Sequence, residues 1–197
     1  MTRVYFETDA FIGQELLAVD VPALQAFFDD NPEYFYQIND RPPRADEAQS
    51  EFDEQVPVHL PHGERWFIGV RERETRSMVA MVNVTAHLGV RHVWHVGLFI
   101  VATHLHGQDA AAGIYAALER EIASAGAEWM RLCVVCGNER AERFWARQGY
   151  TETRVRRDVD TGGRINDIRV LLKALGSQTL GSYLERVPRD RPESELA

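Results

Sequence analysis

Residues 92–113, HVWHVGLFIVATHLHGQDAAAG, run a nearly continuous apolar segment into a short loop with one glycine and then into three alanines. Small residues let a ligand approach the backbone closely. N–H groups at a helix start have no partner within the helix and sit at the positive end of its dipole, so this start suits a phosphate. The same pattern also serves an ordinary strand-to-helix turn. A second stretch, NERAERFWARQGY at 138–150, places Asn138 where it can cap a helix. The inner stripe of that helix is Ala141, Phe144, Trp145 and Gln148, and Gly149 closes it.

Other reactive side chains point to blander roles. His92, His95, His104 and His106 crowd the first stretch, and H-x-H can chelate. The chain nevertheless offers no H-E-x-x-H and no paired Cys/His set, so no metal is expected. Cys133 and Cys136 have C-x-x-C spacing inside the apolar run MRLCVVCGN. Strand geometry puts residues three apart on opposite faces, which favours packing over a redox pair or half a zinc site.

The elements that must position these residues follow from periodicity. Asp20 can cap a helix entered through Val21 and Pro22, with Leu24, Phe27 and Phe28 on one stripe, until Asn31–Pro32 disturbs it. The aromatic, Pro-interrupted NPEYFYQINDRPPR then reads as a connection, with a second short helix around Ala45, Ala48 and Phe52. RWFIGVRE and SMVAMVNV form an antiparallel hairpin, and HVWHVGLFIVA is apolar enough to be a central strand. A helix over 109–125 carries Ala111, Ile114, Leu118 and Ile122 inward and ends at Gly126. WMRLCVVC adds a strand before the Asn138 helix, and YTETRVRRD and RINDIRVLL close the fold as a hairpin.

At 197 residues, with 45% apolar residues, one domain with an ordinary core is expected, taken as residues 1–175. The polar segment 176–197 reads as a tail, partly disordered or a short helix around Tyr183. A net charge of -8 disfavours nucleic acid and anionic bilayers as partners. The N-terminus has no basic stretch followed by an apolar run, and no long apolar segment occurs, so a cytoplasmic protein is expected.

Together the two stretches resemble the GNAT (Gcn5-related N-acetyltransferase) superfamily. Its first signature, Gln or Arg, two residues, Gly, one residue, Gly or Ala, aligns with His106, Gly107, Gln108, Asp109, Ala110 and Ala111. Its second has Asn138, Ala141, Trp145, Gly149 and Tyr150 in register, one helix and one strand away. The resemblance covers about residues 65–173. It implies an α+β fold with a mixed, mostly antiparallel sheet of six to seven strands, about four helices, and a cofactor cleft between the fourth and fifth strands. The implied activity moves an acetyl group from acetyl-CoA, as co-substrate and without a metal, directly to an amine on a small molecule or peptide. The alternative is a non-catalytic acyl-CoA-binding or sensing module of the same fold. A homodimer is compatible with the polar closing hairpin and tail.

The resemblance also implies roles. The backbone of Phe99, Ile100 and Val101 would pair with the pantetheine arm, the amides of Gly107, Gln108, Asp109, Ala110 and Ala111 would hold the pyrophosphate with a partial charge from His106, and Asn138 and Trp145 would flank the arm. Two departures stand out. Asp109 replaces a family glycine, bringing a carboxylate toward the pyrophosphate unless it turns outward to cap the helix. Trp145 replaces a tyrosine that in many members protonates the departing thiolate, leaving Tyr115 and Tyr150 as the nearest phenols. The family's base often matches Gly97 or Leu98, which cannot act. His95, two residues earlier, shares Gly97's face unless a bulge intervenes and is the candidate base. Glu33 and Tyr34, in the segment that would cover the acceptor, are further candidates, and Tyr34, Phe35 and Tyr36 either line the acceptor pocket or pack.

Overall fold

A computed structural model of the chain describes residues 2–195. Its elements run β1 (Val4–Glu7), β2 (Phe11–Glu15), α1 (Val21–Asp30), α2 (Glu33–Asn39), α3 (Glu47–Asp53), β3 (Arg65–Glu72), β4 (Met78–Thr85) and β5 (Val93–Val101). They continue through α4 (Ala110–Ser124), β6 (Trp129–Val135), α5 (Glu139–Arg147), β7 (Thr151–Asp160), β8 (Ile165–Ala174) and α6 (Leu180–Arg186). The strands form one sheet in the order β1-β2-β3-β4-β5-β6-β8-β7. Every neighbouring pair is antiparallel except β5–β6. That exception follows from connectivity, because a parallel pair needs a long crossover and α4 supplies it.

The mixed, mostly antiparallel α+β fold is as expected, with more elements than the six to seven strands and about four helices read from sequence. The strands not read from sequence are the β1–β2 hairpin, and counted along the chain the cleft lies between the fifth and sixth strands. This hairpin depends on a close approach: a Cβ on Gly13 would lie 2.5 Å from the Phe6 ring. The added helix is α2. Pro32, with φ -72, is already helical and stands at its N-cap, so the proline that disturbs α1 starts the next helix. Asn31 fastens the junction, donating from Nδ2 to the Phe27 carbonyl at 2.8 Å and accepting at Oδ1 from the Thr103 amide at 2.7 Å.

A large core joins α1, α4 and the sheet through Phe28, Ile68, Met81, Ile114 and Leu118. A second, smaller core gathers Val93, Trp129 and Leu172 from the sheet with Tyr183 and Val187. The C-terminal segment therefore covers the β5–β6–β8 region, and α6 occupies part of the stretch read as a tail. The final two residues of that stretch lie outside the described residues.

Candidate functional site

β5 and β6 pair in register only from Val93–Trp129 to Val96–Leu132. β5 continues to Val101 against β4, and β6 continues to Val135 against β8. Past Val96 and Leu132 the two strands part, and a cavity of about 580 Å³ opens between them. Phe99, Ile100 and Val101 line it from β5, and Leu132, Cys133, Val134 and Val135 from β6. Peptide groups on the facing sides of the parted strands lack a strand partner there, and an extended ligand carrying amides can supply one.

His106, Gly107, Gln108, Asp109 and Ala111 also line this cavity. Ala110 is the first residue of α4 beside them. Gly107 has φ +75, and a Cβ there would meet nothing within 4 Å, so the backbone is open to close approach. Asp109 stands at the N-cap of α4 but makes no side-chain capping bond. The alternative that it serves as the cap is thereby corrected, and an exposed carboxylate remains on the cavity wall. His106 is no cation either. Its Nε2–H donates to the Val101 carbonyl at 2.9 Å, and its Nδ1 accepts from Arg140 Nη1 at 2.9 Å. Burial first, and the Arg140 charge second, lower its pKa. The positive charge at this end of the cavity is the guanidinium of Arg140, which sequence reasoning missed. The available signal was its place two residues after Asn138, in the first turn of α5.

Asn138 caps α5, its Oδ1 accepting from the Ala141 amide at 3.1 Å, and lines the cavity with Ala141, Phe144 and Trp145. Trp145 sits edge-on to Phe99 with ring centres 5.5 Å apart. Tyr115 and Tyr150, whose hydroxyls meet at 3.1 Å, are buried in the core and are not among the lining residues. Tyr34 is the tyrosine on the wall.

A second cavity, about 450 Å³, shares Tyr34, Gly97, Leu98 and Thr161 with the first. The two meet at a β-bulge: Asn83 pairs with Leu98 and Val84 with Val96, leaving Gly97 as the extra residue. The bulge shifts the β4–β5 register, yet His95 and Gly97 still line the same cavity. His95 lies opposite Arg131 across β5–β6, and Arg131 Nη1 donates to its Nδ1 at 3.3 Å. Burial first, then the Arg131 charge, hold the His95 pKa down to about 3. His95 does line the second cavity, but as a neutral, weakly basic imidazole. Glu33 lines the first cavity only, and its Oε2 accepts from Thr103 Oγ1 at 2.6 Å, a bond that lowers its pKa. Three carboxylates not anticipated from sequence, Glu51, Glu54 and Asp160, line the second cavity.

Among the described residues, no group of three or more His, Cys, Asp or Glu is arranged to hold a metal ion, and no helix is long and apolar enough to cross a membrane.

A family model described as the acetyltransferase (GNAT) family matches residues 24–150. No match is found among curated proteins. Among solved structures, the chain is similar to the apo form of RimL, a ribosomal L7/L12 alpha-N-protein acetyltransferase, with TM-score 0.73 and 14% identity over 89% of this chain and 96% of that one. RimL in complex with coenzyme A gives TM-score 0.70 and 12% identity over 89% and 100% of the two chains. An acetyltransferase from Thermus thermophilus gives TM-score 0.62 and 18% identity over 84% and 97%.

Proposed function

The chain belongs to the GNAT acetyltransferase family, and from that premise we propose that it moves an acetyl group from acetyl-CoA directly to an amine acceptor. The observation that carries this reading is the parting of β5 and β6 beside a bulged Gly97, with a second cavity meeting the first at that point. The backbone of Phe99, Ile100 and Val101 pairs with the pantetheine arm. The amides of Gly107 to Ala111, with Gln108 in the loop and Arg140 beside His106, receive the pyrophosphate. Asn138 and Trp145 flank the arm. Thioester chemistry supplies an activated acyl carbon, so the protein has mainly to position two reactants and move a proton.

The acceptor enters through the second cavity. RimL is described as acting on a protein α-amine, which supports a peptide N-terminus as one acceptor class beside small amines. The co-substrate is a cytoplasmic metabolite, and we place the protein there.

Calorimetric titration with acetyl-CoA, CoA and 3'-dephospho-CoA tests the reading, followed by free-thiol release with a panel of amines. Micromolar binding and amine-dependent thiol release are expected, and absence of heat with all three ligands sinks it. The lack of a phenol at Trp145 favours a second reading, a sensor that binds acyl-CoA without turnover. Binding without thiol release for any amine would establish that one instead.

A further inference from the structure

Resting on the acyl-transfer reading, we propose that Glu51 accepts the proton that the acceptor ammonium must lose before it can attack. Glu51 lies near the end of α3 and lines the second cavity together with Gly97 and Leu98, the residues at which that cavity meets the cleft. Its backbone is held: the Arg65 guanidinium donates to the carbonyls of Glu51 at 2.5 Å, Phe52 at 3.0 Å and Glu54 at 3.0 Å, and to Asn83 Oδ1 at 3.1 Å. Arg65 is thereby occupied with the end of the helix. None of its bonds reaches the Glu51 carboxylate, which is left for the cavity.

The charges around Glu51 suit a proton acceptor at neutral pH. Burial raises its pKa most, Glu54 and Glu47 on its own segment raise it further, and Arg65 and Arg44 offset only part, leaving it pushed up to about 7. Tyr34, from α2, is held neutral by burial first and then by the same three carboxylates. The same cavity is lined by His95, a weak base, and Asp160, whose carboxylate accepts the Gly163 and Gly162 amides and is lowered by them. Glu51 is thus a carboxylate of this wall able to take up a proton near neutral pH.

The acceptor arrives as R–NH3+ and passes one proton to the Glu51 carboxylate. The freed nitrogen lone pair forms a C–N bond to the acyl carbon, and the C–S bond breaks with its electron pair on sulfur. A second nitrogen proton ends on the thiolate, and Glu51 releases its proton to water. Each turnover yields one amide, one thiol and one H+.

The test uses the whole chain, wild type and Glu51→Gln, with acetyl-CoA and a panel comprising a diamine, an amino sugar and a peptide with a free N-terminus. Thiol release is followed from pH 5.5 to 9, and acetyl-CoA affinity by calorimetry. Wild-type kcat/KM should rise with pH through a limb near 7. Glu51→Gln should lose that limb and about 100-fold or more of turnover, while keeping its acetyl-CoA affinity within about two-fold, since no contact with the cleft ligand is assigned to it. Glu51→Asp should keep a limb at reduced rate, and this variant decides the matter should the amide variant misfold. Retention of both limb and turnover in Glu51→Gln overturns the role of Glu51 and leaves acyl transfer standing. No acetyl-CoA binding, or no turnover of any amine by wild type, overturns both.

Discussion

Asp109 and Arg140 set opposite charges on the wall of one cavity, and their net effect decides how tightly a pyrophosphate is held. A carboxylate about 4 Å from a phosphate charge costs about 1 kcal/mol in water-like surroundings and up to about 4 at an effective dielectric of 20. Because Asp109 is exposed, the lower figure applies, and Asp109→Gly should tighten acetyl-CoA binding about five-fold at low salt. Arg140→Ala should weaken it by about ten-fold or more, the scale of one charge-assisted hydrogen bond. Both effects should shrink at 0.5 M salt, which calorimetry at two ionic strengths checks. Unchanged affinity in Asp109→Gly would place the carboxylate away from the phosphates. At this scale the sequence was a partial guide. The small residues at 107–111 announce an approachable backbone by type alone. The identity of the cation does not follow from type, because His106 and Arg140 lie far apart in sequence and only the fold makes one the acceptor of the other's proton.

Elements were legible in proportion to their length and periodicity. α4, α5, β3 to β6 and the closing hairpin carry sustained patterns that one partner surface suffices to read. β1 and β2 are four and five residues long, and α2 has one buried side chain, Phe35, so their signals fall within the noise of a few residues. The bulge at Gly97 is illegible in principle, because it is a mismatch between two strands and not a property of either. The expectation for His95 allowed for such a bulge, and His95 and Gly97 do line the same second cavity; what no pattern announces is the burial against Arg131 that makes His95 a weak base. Where the signal was strong, it makes a quantitative claim. The Asn138 cap satisfies the Ala141 amide at the start of α5, and Asn138→Ala should cost about 1 kcal/mol. A shift of the urea midpoint at unchanged slope would register that loss. An unchanged midpoint would mean that water replaces the cap.

At the scale of the molecule, the C-terminal segment ties the sheet together behind the site. Arg131 on β6 donates from Nε and Nη2 to Asp190 at 2.7 and 3.1 Å, and the Tyr183 hydroxyl donates to the same carboxylate. The Arg131 and Asp190 side chains are 6% and 1% exposed. Composition marked 176–197 as polar and so hid this role, because a buried ion pair is written in the same residues as a solvated tail. Removing one partner of such a pair strands the other, so Asp190→Asn should cost about 3–5 kcal/mol at pH 7. The pH dependence has a definite sign. Burial raises the Asp190 pKa, but the Arg131 hydrogen bond and charge, with Tyr183, outweigh it and leave the folded value below the ordinary 3.8. The pair's contribution is therefore fully present above 3.8 and is lost as pH falls through the lower folded value. Urea unfolding of wild type and Asp190→Asn should show a constant gap from pH 8 to 5 that closes only in strong acid. The same variant reaches the site, because Arg131 also bonds His95 on the wall of the second cavity. Release of Arg131 from Asp190 should loosen that wall, raising KM for the amine while acetyl-CoA affinity holds. A gap that closed already near pH 6 would detach the pair from this account of stability, and a KM unmoved by the change would detach the C-terminal segment from the site.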